Sequence, residues 1–186
     1  MPTLFLAFLA AALASMGARD QLLVARLREA LGANAGLLVV GWGVAIAFAA
    51  LAAWAGALMG QTLFPAAKQM LLGIALVFSA VELCWPRKDT APAEPTRSLG
   101  AIAIVLSGYA LTDAARFLVF AVAVGAAMPA LAAIGGALGS GAALTLGWML
   151  GAELAGWRWL RAMRLVIGVL LGITGLFLAL AARGIV

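Results

Sequence analysis

Four ionisable residues stand inside stretches that are otherwise apolar enough to cross a membrane: Arg19 and Asp20 near the N-terminus, Asp113 and Arg116 in the second half. A charge in hydrocarbon is costly, and groups so placed commonly mark ion paths, proton relays or substrate sites. Asp113 and Arg116 are three residues apart, so on a helix they share a face and can pair. Arg19 and Asp20 are neighbours that point in different directions, so each needs a partner elsewhere. Arg19 with Asp113 and Asp20 with Arg116 are the expected cross-chain pairs. Gln21, Ser15, Thr112 and Ser107 add neutral amide or hydroxyl groups to the same region. The four charges sum to zero, which suits either a lock between two halves or a working site. For a site, Asp113 is the first candidate to bind a cation or carry a proton and Asp20 the second.

Other chemistry is excluded by residue type. With no His and a single Cys84, the chain has no Ser-His-Asp or Cys-His pair and no imidazole metal ligand. No cofactor motif appears, so neither an enzyme nor a bound cofactor is expected. The formal charge of +5 comes without a basic run or a basic-aromatic strip, which points to membrane topology and away from nucleic acid. Glu82 and Glu153 fall near helix ends, where ion pairs with Arg87 and with Arg158 or Arg161 are expected.

The elements that must position these groups follow from composition. The chain of 186 residues is 66% hydrophobic and 10% charged, far from the roughly one-quarter charged share of soluble domains. Lipid must therefore be the solvent for much of it. A spanning helix needs about 20 apolar residues, and six stretches qualify: 3–27, 35–59, 66–85, 99–125, 130–154 and 159–182. All six prolines lie at or between their ends, where a missing N–H costs least. No Lys or Arg precedes Arg19, so the first stretch reads as a retained helix, not a signal peptide. The single long polar connection, 86–98, divides a first three-helix unit (1–85) from a second (99–186). Eight Lys and Arg lie in the loops after stretches one, three and five, against two on the other side. That places those loops in the cytoplasm and both termini outside it.

The two units overlay at a constant shift of 95 residues: Gly41 on Gly136, Gly56 on Gly151, Gly73 on Gly168. With three spans each, the second unit enters the membrane inverted. This is a common transporter architecture, with its site near the midplane. Small-xxx-small spacings (Gly56/Gly60, Gly135/Gly139, Gly147/Gly151, Gly168/Gly172) predict close helix packing. The expected class is an all-α membrane protein of six transmembrane helices in two inverted repeats.

The segment Ser15-Met16-Gly17-Ala18-Arg19-Asp20-Gln21, with Ala110-Leu111-Thr112-Asp113-Ala114-Ala115-Arg116 95 residues on, resembles the paired Glu-x-Gly-Asp-(Lys/Arg)-(Ser/Thr)-Gln motifs of the GDT-type family of small manganese/calcium cation–proton exchangers. Gly17, Arg19, Gln21 and Asp113 keep the family pattern. Ser15, Ala18, Asp20, Ala110 and Thr112 depart from it. The resemblance implies a multi-pass inner-membrane antiporter, transported Mn or Ca, and an ion or proton site drawn from Asp113, Asp20, Arg19, Arg116, Gln21, Ser15 and Thr112. Asp113 and Asp20 would be the metal-facing carboxylates. The alternatives are a non-transporting structural or partner-binding subunit, and a small-metabolite exporter. Expected partners are the bilayer, a small ion or molecule, and a second copy or membrane protein.

Overall fold

The computed structural model describes residues 1–86, 97–126 and 128–184, so the core of the expected 86–98 linker lies outside the described residues. The described residues form helices and turns, with no strand among them. The helices are α1 (Pro2–Ser15), α2 (Arg19–Leu31), α3 (Ala35–Thr62), α4 (Pro65–Cys84), α5 (Leu99–Leu111), α6 (Ala114–Gly125), α7 (Pro129–Leu150), the single turn α8 (Ala152–Ala155) and α9 (Arg158–Ala181). Pro2, Pro65 and Pro129 each open a helix, where the fixed φ suits the first turn and no N–H is missed.

Three stretches expected as continuous helices are interrupted: 130–154 near its end, at Gly151 (φ +56°) between α7 and α8, and the first and fourth near their middles. The first bends by 60° between α1 and α2, and the fourth by 56° between α5 and α6. At the first break Gly17 takes a left-handed φ of +67° between extended residues Met16 and Ala18. At the second, Thr112 (ψ 11°) and Asp113 (ψ 135°) leave the helical region. The helical continuity expected between Asp113 and Arg116 is therefore lost: Asp113 is the residue that caps α6. Four helices (α3, α4, α7 and α9) are long and apolar enough to cross a membrane, or up to six spans if each bent pair is one.

Large apolar side chains face outward. On α9 alone Val166, Val169, Leu170, Ile173, Leu176 and Phe177 are all more than half exposed, a surface that water would not tolerate over such an area. The interior is instead rich in alanine, serine and glycine, with α7 the most enclosed of the long helices. A Cβ on Gly135 or Gly139 would strike the carbonyls of Leu4 and Phe8 on α1. One on Gly56 would lie 2.5 Å from Phe120 O on α6, and one on Gly60 2.7 Å from Val124 O. Gly73 and Gly175 meet across α4 and α9, each added Cβ falling 2.6–2.7 Å from the other's carbonyl. Such backbone proximity is how helices associate where lipid removes the hydrophobic drive. Several contacts recur at the shift of 95. Gly56 faces Phe120 O, and Gly151 faces Ala25 O at 3.9 Å; Gly73 faces Gly175 O, and Gly168 faces Ala80 O at 3.2 Å.

An open apolar cleft of about 570 Å³ lies between α1, α4, α6 and α9 towards the Pro2, Gly125 and Leu178 ends of those helices.

Candidate functional site

Breaking a helix leaves backbone groups without intrahelical partners: carbonyls at the end of the first piece, N–H groups at the start of the second. The ends also carry the partial charges of the helix dipole, negative at the C-terminus and positive at the N-terminus. Both intramembrane aspartates stand at such positive ends. Asp20 is in the first turn of α2, with Oδ1 accepting from Gln21 N at 2.8 Å. Asp113 occupies the N-cap of α6, where its backbone carbonyl accepts from Arg116 N at 3.0 Å. Its carboxylate makes no capping bond, which an N-cap aspartate ordinarily does. The side chain is 5% exposed and Oδ2 has no hydrogen-bond partner.

That carboxylate lines a small cavity together with Asp20, Glu82, Arg19 and Tyr109. The free space is about 10 Å³, room for roughly one water. The Arg19 guanidinium lies over the Tyr109 ring at 6.0 Å from its centroid, within cation–π range. Asp20, Arg116, Glu82 and Arg164 are the charges near enough to act on Asp113. The wall is therefore rich in carboxylate oxygen, with guanidinium groups ranged round it. No cluster of three or more acidic, His or Cys residues is preassembled as a metal site among the described residues.

Two members of this group lie outside the expected set. Glu82, near the C-terminus of α4, is 8% exposed and pairs with Arg164 through Oε2–Nη2 at 2.8 Å. Arg164 in turn donates from Nη1 to Ala14 O at 2.8 Å and Met16 O at 3.1 Å. Its guanidinium thus satisfies the carbonyls that the first break leaves open. Arg87, the partner expected for Glu82, lies outside the described residues; the Arg164 pair reaches Glu82 across 82 residues of sequence.

The remaining expected residues divide. Arg19, Asp20 and Asp113 line one cavity, but among the described residues the expected ion pairs of Arg19 with Asp113 and of Asp20 with Arg116 are not formed; Arg19 lies over Tyr109 instead. Gln21 is fully buried beside it, accepting from Gly17 N at 2.6 Å and donating to Ala143 O of α7 at 2.7 Å. Arg116 points its Nη1 to Ala45 O of α3 at 3.3 Å, and its Nε makes no hydrogen bond. Ser15 turns to Ser140 of α7, Oγ to Oγ at 3.3 Å. Thr112 is exposed, its hydroxyl directed back to Tyr109 O at 3.5 Å. Glu153 is exposed on α8. Trp42 is held inside, donating to Thr145 Oγ1 at 3.1 Å over Gly141.

Fold and site together define a membrane-embedded helical protein with a small, carboxylate-lined polar cavity at the meeting point of two broken helices. Comparison with protein-family profiles, with curated protein sequences and with solved structures gives no match.

Proposed function

We propose that the chain is a secondary transporter that exchanges a small hard cation for protons, after the manner of the GDT-type exchangers its motifs resemble. Six spans in two inverted three-helix halves would place the broken helices face to face. The observation that carries this reading is the Asp113 carboxylate, buried with an unpartnered oxygen and set into the same cavity wall as Asp20 and Glu82. An enclosed carboxylate without a donor is costly unless a proton or a cation completes it. Paired broken helices with their ends at a polar centre are the arrangement by which transporters bind ions near the bilayer midplane. Support for the repeat comes from the contacts that recur at the shift of 95. A space of about 10 Å³ admits no hydrated ion, so transport through this site would require it to open.

The test is flux in proteoliposomes, with Mn²⁺ and Ca²⁺ as probes and an imposed proton gradient. Asp113→Asn keeps the shape of the side chain but removes its charge. It should abolish exchange while leaving the protein folded by size-exclusion and thermal unfolding. Unchanged flux in this variant would sink the reading. A second reading, a non-transporting subunit held by a charge lock, is favoured by the balance of Asp20, Glu82 and Asp113 against Arg19, Arg116 and Arg164. Replacing Glu82 and Arg164 together by Gln and Met discriminates between the two. A lock predicts altered stability alone, whereas a site predicts altered flux in the surviving protein.

A further inference from the structure

We infer that Glu82 is a third carboxylate of the ion site, and that Arg164, which holds its Oε2 together with the carbonyls at the first break, couples occupancy of the site to that break. The inference rests on the transporter reading above and deepens it. Three observations converge. Glu82 lines the cavity with Asp113 and Asp20 although it belongs to neither broken helix. Its Oε2 is engaged by Arg164 Nη2 at 2.8 Å. The same guanidinium holds Ala14 O and Met16 O, the carbonyls exposed where α1 ends. Unwound carbonyls at the C-terminal end of a half-helix are the groups that coordinate coupling cations in broken-helix transporters. Here a fixed cation, the guanidinium, sits on them.

The cavity as it stands has too few free oxygens for a hard cation, which takes about six ligands. Asp113 Oδ2 is unengaged, and Glu82, whose Oε2 Arg164 holds, would bring a second carboxylate to it. A cation entering beside Asp113 draws Glu82 away from Arg164. The tie that Arg164 makes between Glu82 of α4 and the carbonyls at the α1 break is thereby weakened. Site occupancy is thereby linked to the angle of the broken helix.

The experiment measures the concentration of Mn²⁺, and separately of Ca²⁺, that half-maximally raises the thermal stability of the purified full chain. Glu82→Gln, which cannot contribute charge, should require on the order of tenfold more cation or worse. Glu82→Asp, which retains the carboxylate, should recover much of the response. Arg164→Lys should not weaken the response and should strengthen it, because an ammonium cannot hold two carbonyls and a carboxylate in the guanidinium's fixed fork. A Glu82→Gln protein with the wild-type response overturns this inference and leaves the Asp113 site standing. Glu82→Asp failing as badly as Glu82→Gln also overturns it, because Glu82 would then be a strut. A wild-type protein indifferent to both ions, alongside unchanged flux in Asp113→Asn, removes the site and the inference together.

Discussion

The amide of Gln21 is fully enclosed, and both its ends are used: Oε1 receives Gly17 N at 2.6 Å and Nε2 reaches Ala143 O at 2.7 Å. The first bond pins the turn between α1 and α2, and the second ties that turn to α7. Gln21→Leu keeps the bulk and strips both bonds. It should cost about 1–2 kcal/mol, read as a lowered midpoint in thermal or detergent unfolding. A change within error would show that water replaces the amide. Arg116 stands 95 residues later and makes the matching gesture, donating to Ala45 O of α3. At this scale the sequence was readable where polarity interrupts an apolar run, which is why Asp20, Gln21, Asp113 and Arg116 stood out. It marked Glu82 only as an interfacial acid, because Trp85 and Pro86 follow within four residues. Only the crossing of α9 over α4, with Gly168 against Ala80 and Leu83, encloses it.

At the level of elements, the first break depends on a conformation that side chains avoid. Gly17 has a φ of +67°, and a Cβ there would touch Arg164 Cδ and Leu160 Cβ at 3.4 Å. Gly17→Ala should therefore destabilise by about 1–2 kcal/mol from the backbone alone. The Arg164 methylene is a neighbour that can shift. Hydrogen exchange should localise the loss to Ala14–Gln21, with α9 beyond its second turn unaffected; uniform loss across the bundle would contradict a local origin. The outlines of α3, α4, α7 and α9 were legible because long apolar runs, bounded by proline near α3, α4 and α7, admit few alternatives. The breaks were not, because one glycine among 22 and a Thr-Asp pair in an apolar window carry weak local signals. The second break has an N-cap residue type in Asp113, yet its carboxylate does not cap. The signal that marks helix starts in sequence is present, but the side chain is directed elsewhere.

For the whole molecule, everything turns on whether each bent pair is one crossing or a re-entrant hairpin. The apolar outer surface fits either, and α3, α4, α7 and α9 cross in both cases. The two topologies differ in where Met1 lies relative to the turn at residues 32–34. If α1 and α2 together cross, these points fall on opposite faces, and each half has an odd number of spans. The second half is then inverted, and the contacts recurring at the shift of 95 are related by an axis in the membrane plane. If the pair is re-entrant, Met1 and the turn share a face. Each half then has two spans inserted in the same sense, and the axis must run along the membrane normal. Single cysteines at Thr3, Asn34, Phe64, Trp157 and Arg183 in a Cys84→Ser background, probed with a membrane-impermeant thiol reagent on intact cells, separate the two. Thr3, Phe64 and Arg183 should label together from the non-cytoplasmic side, with Asn34 and Trp157 protected until the membrane is opened. Labelling of Thr3 and Asn34 on the same side would remove the inversion, and with it the geometry that brings two half-helix N-termini to one cavity from opposite faces.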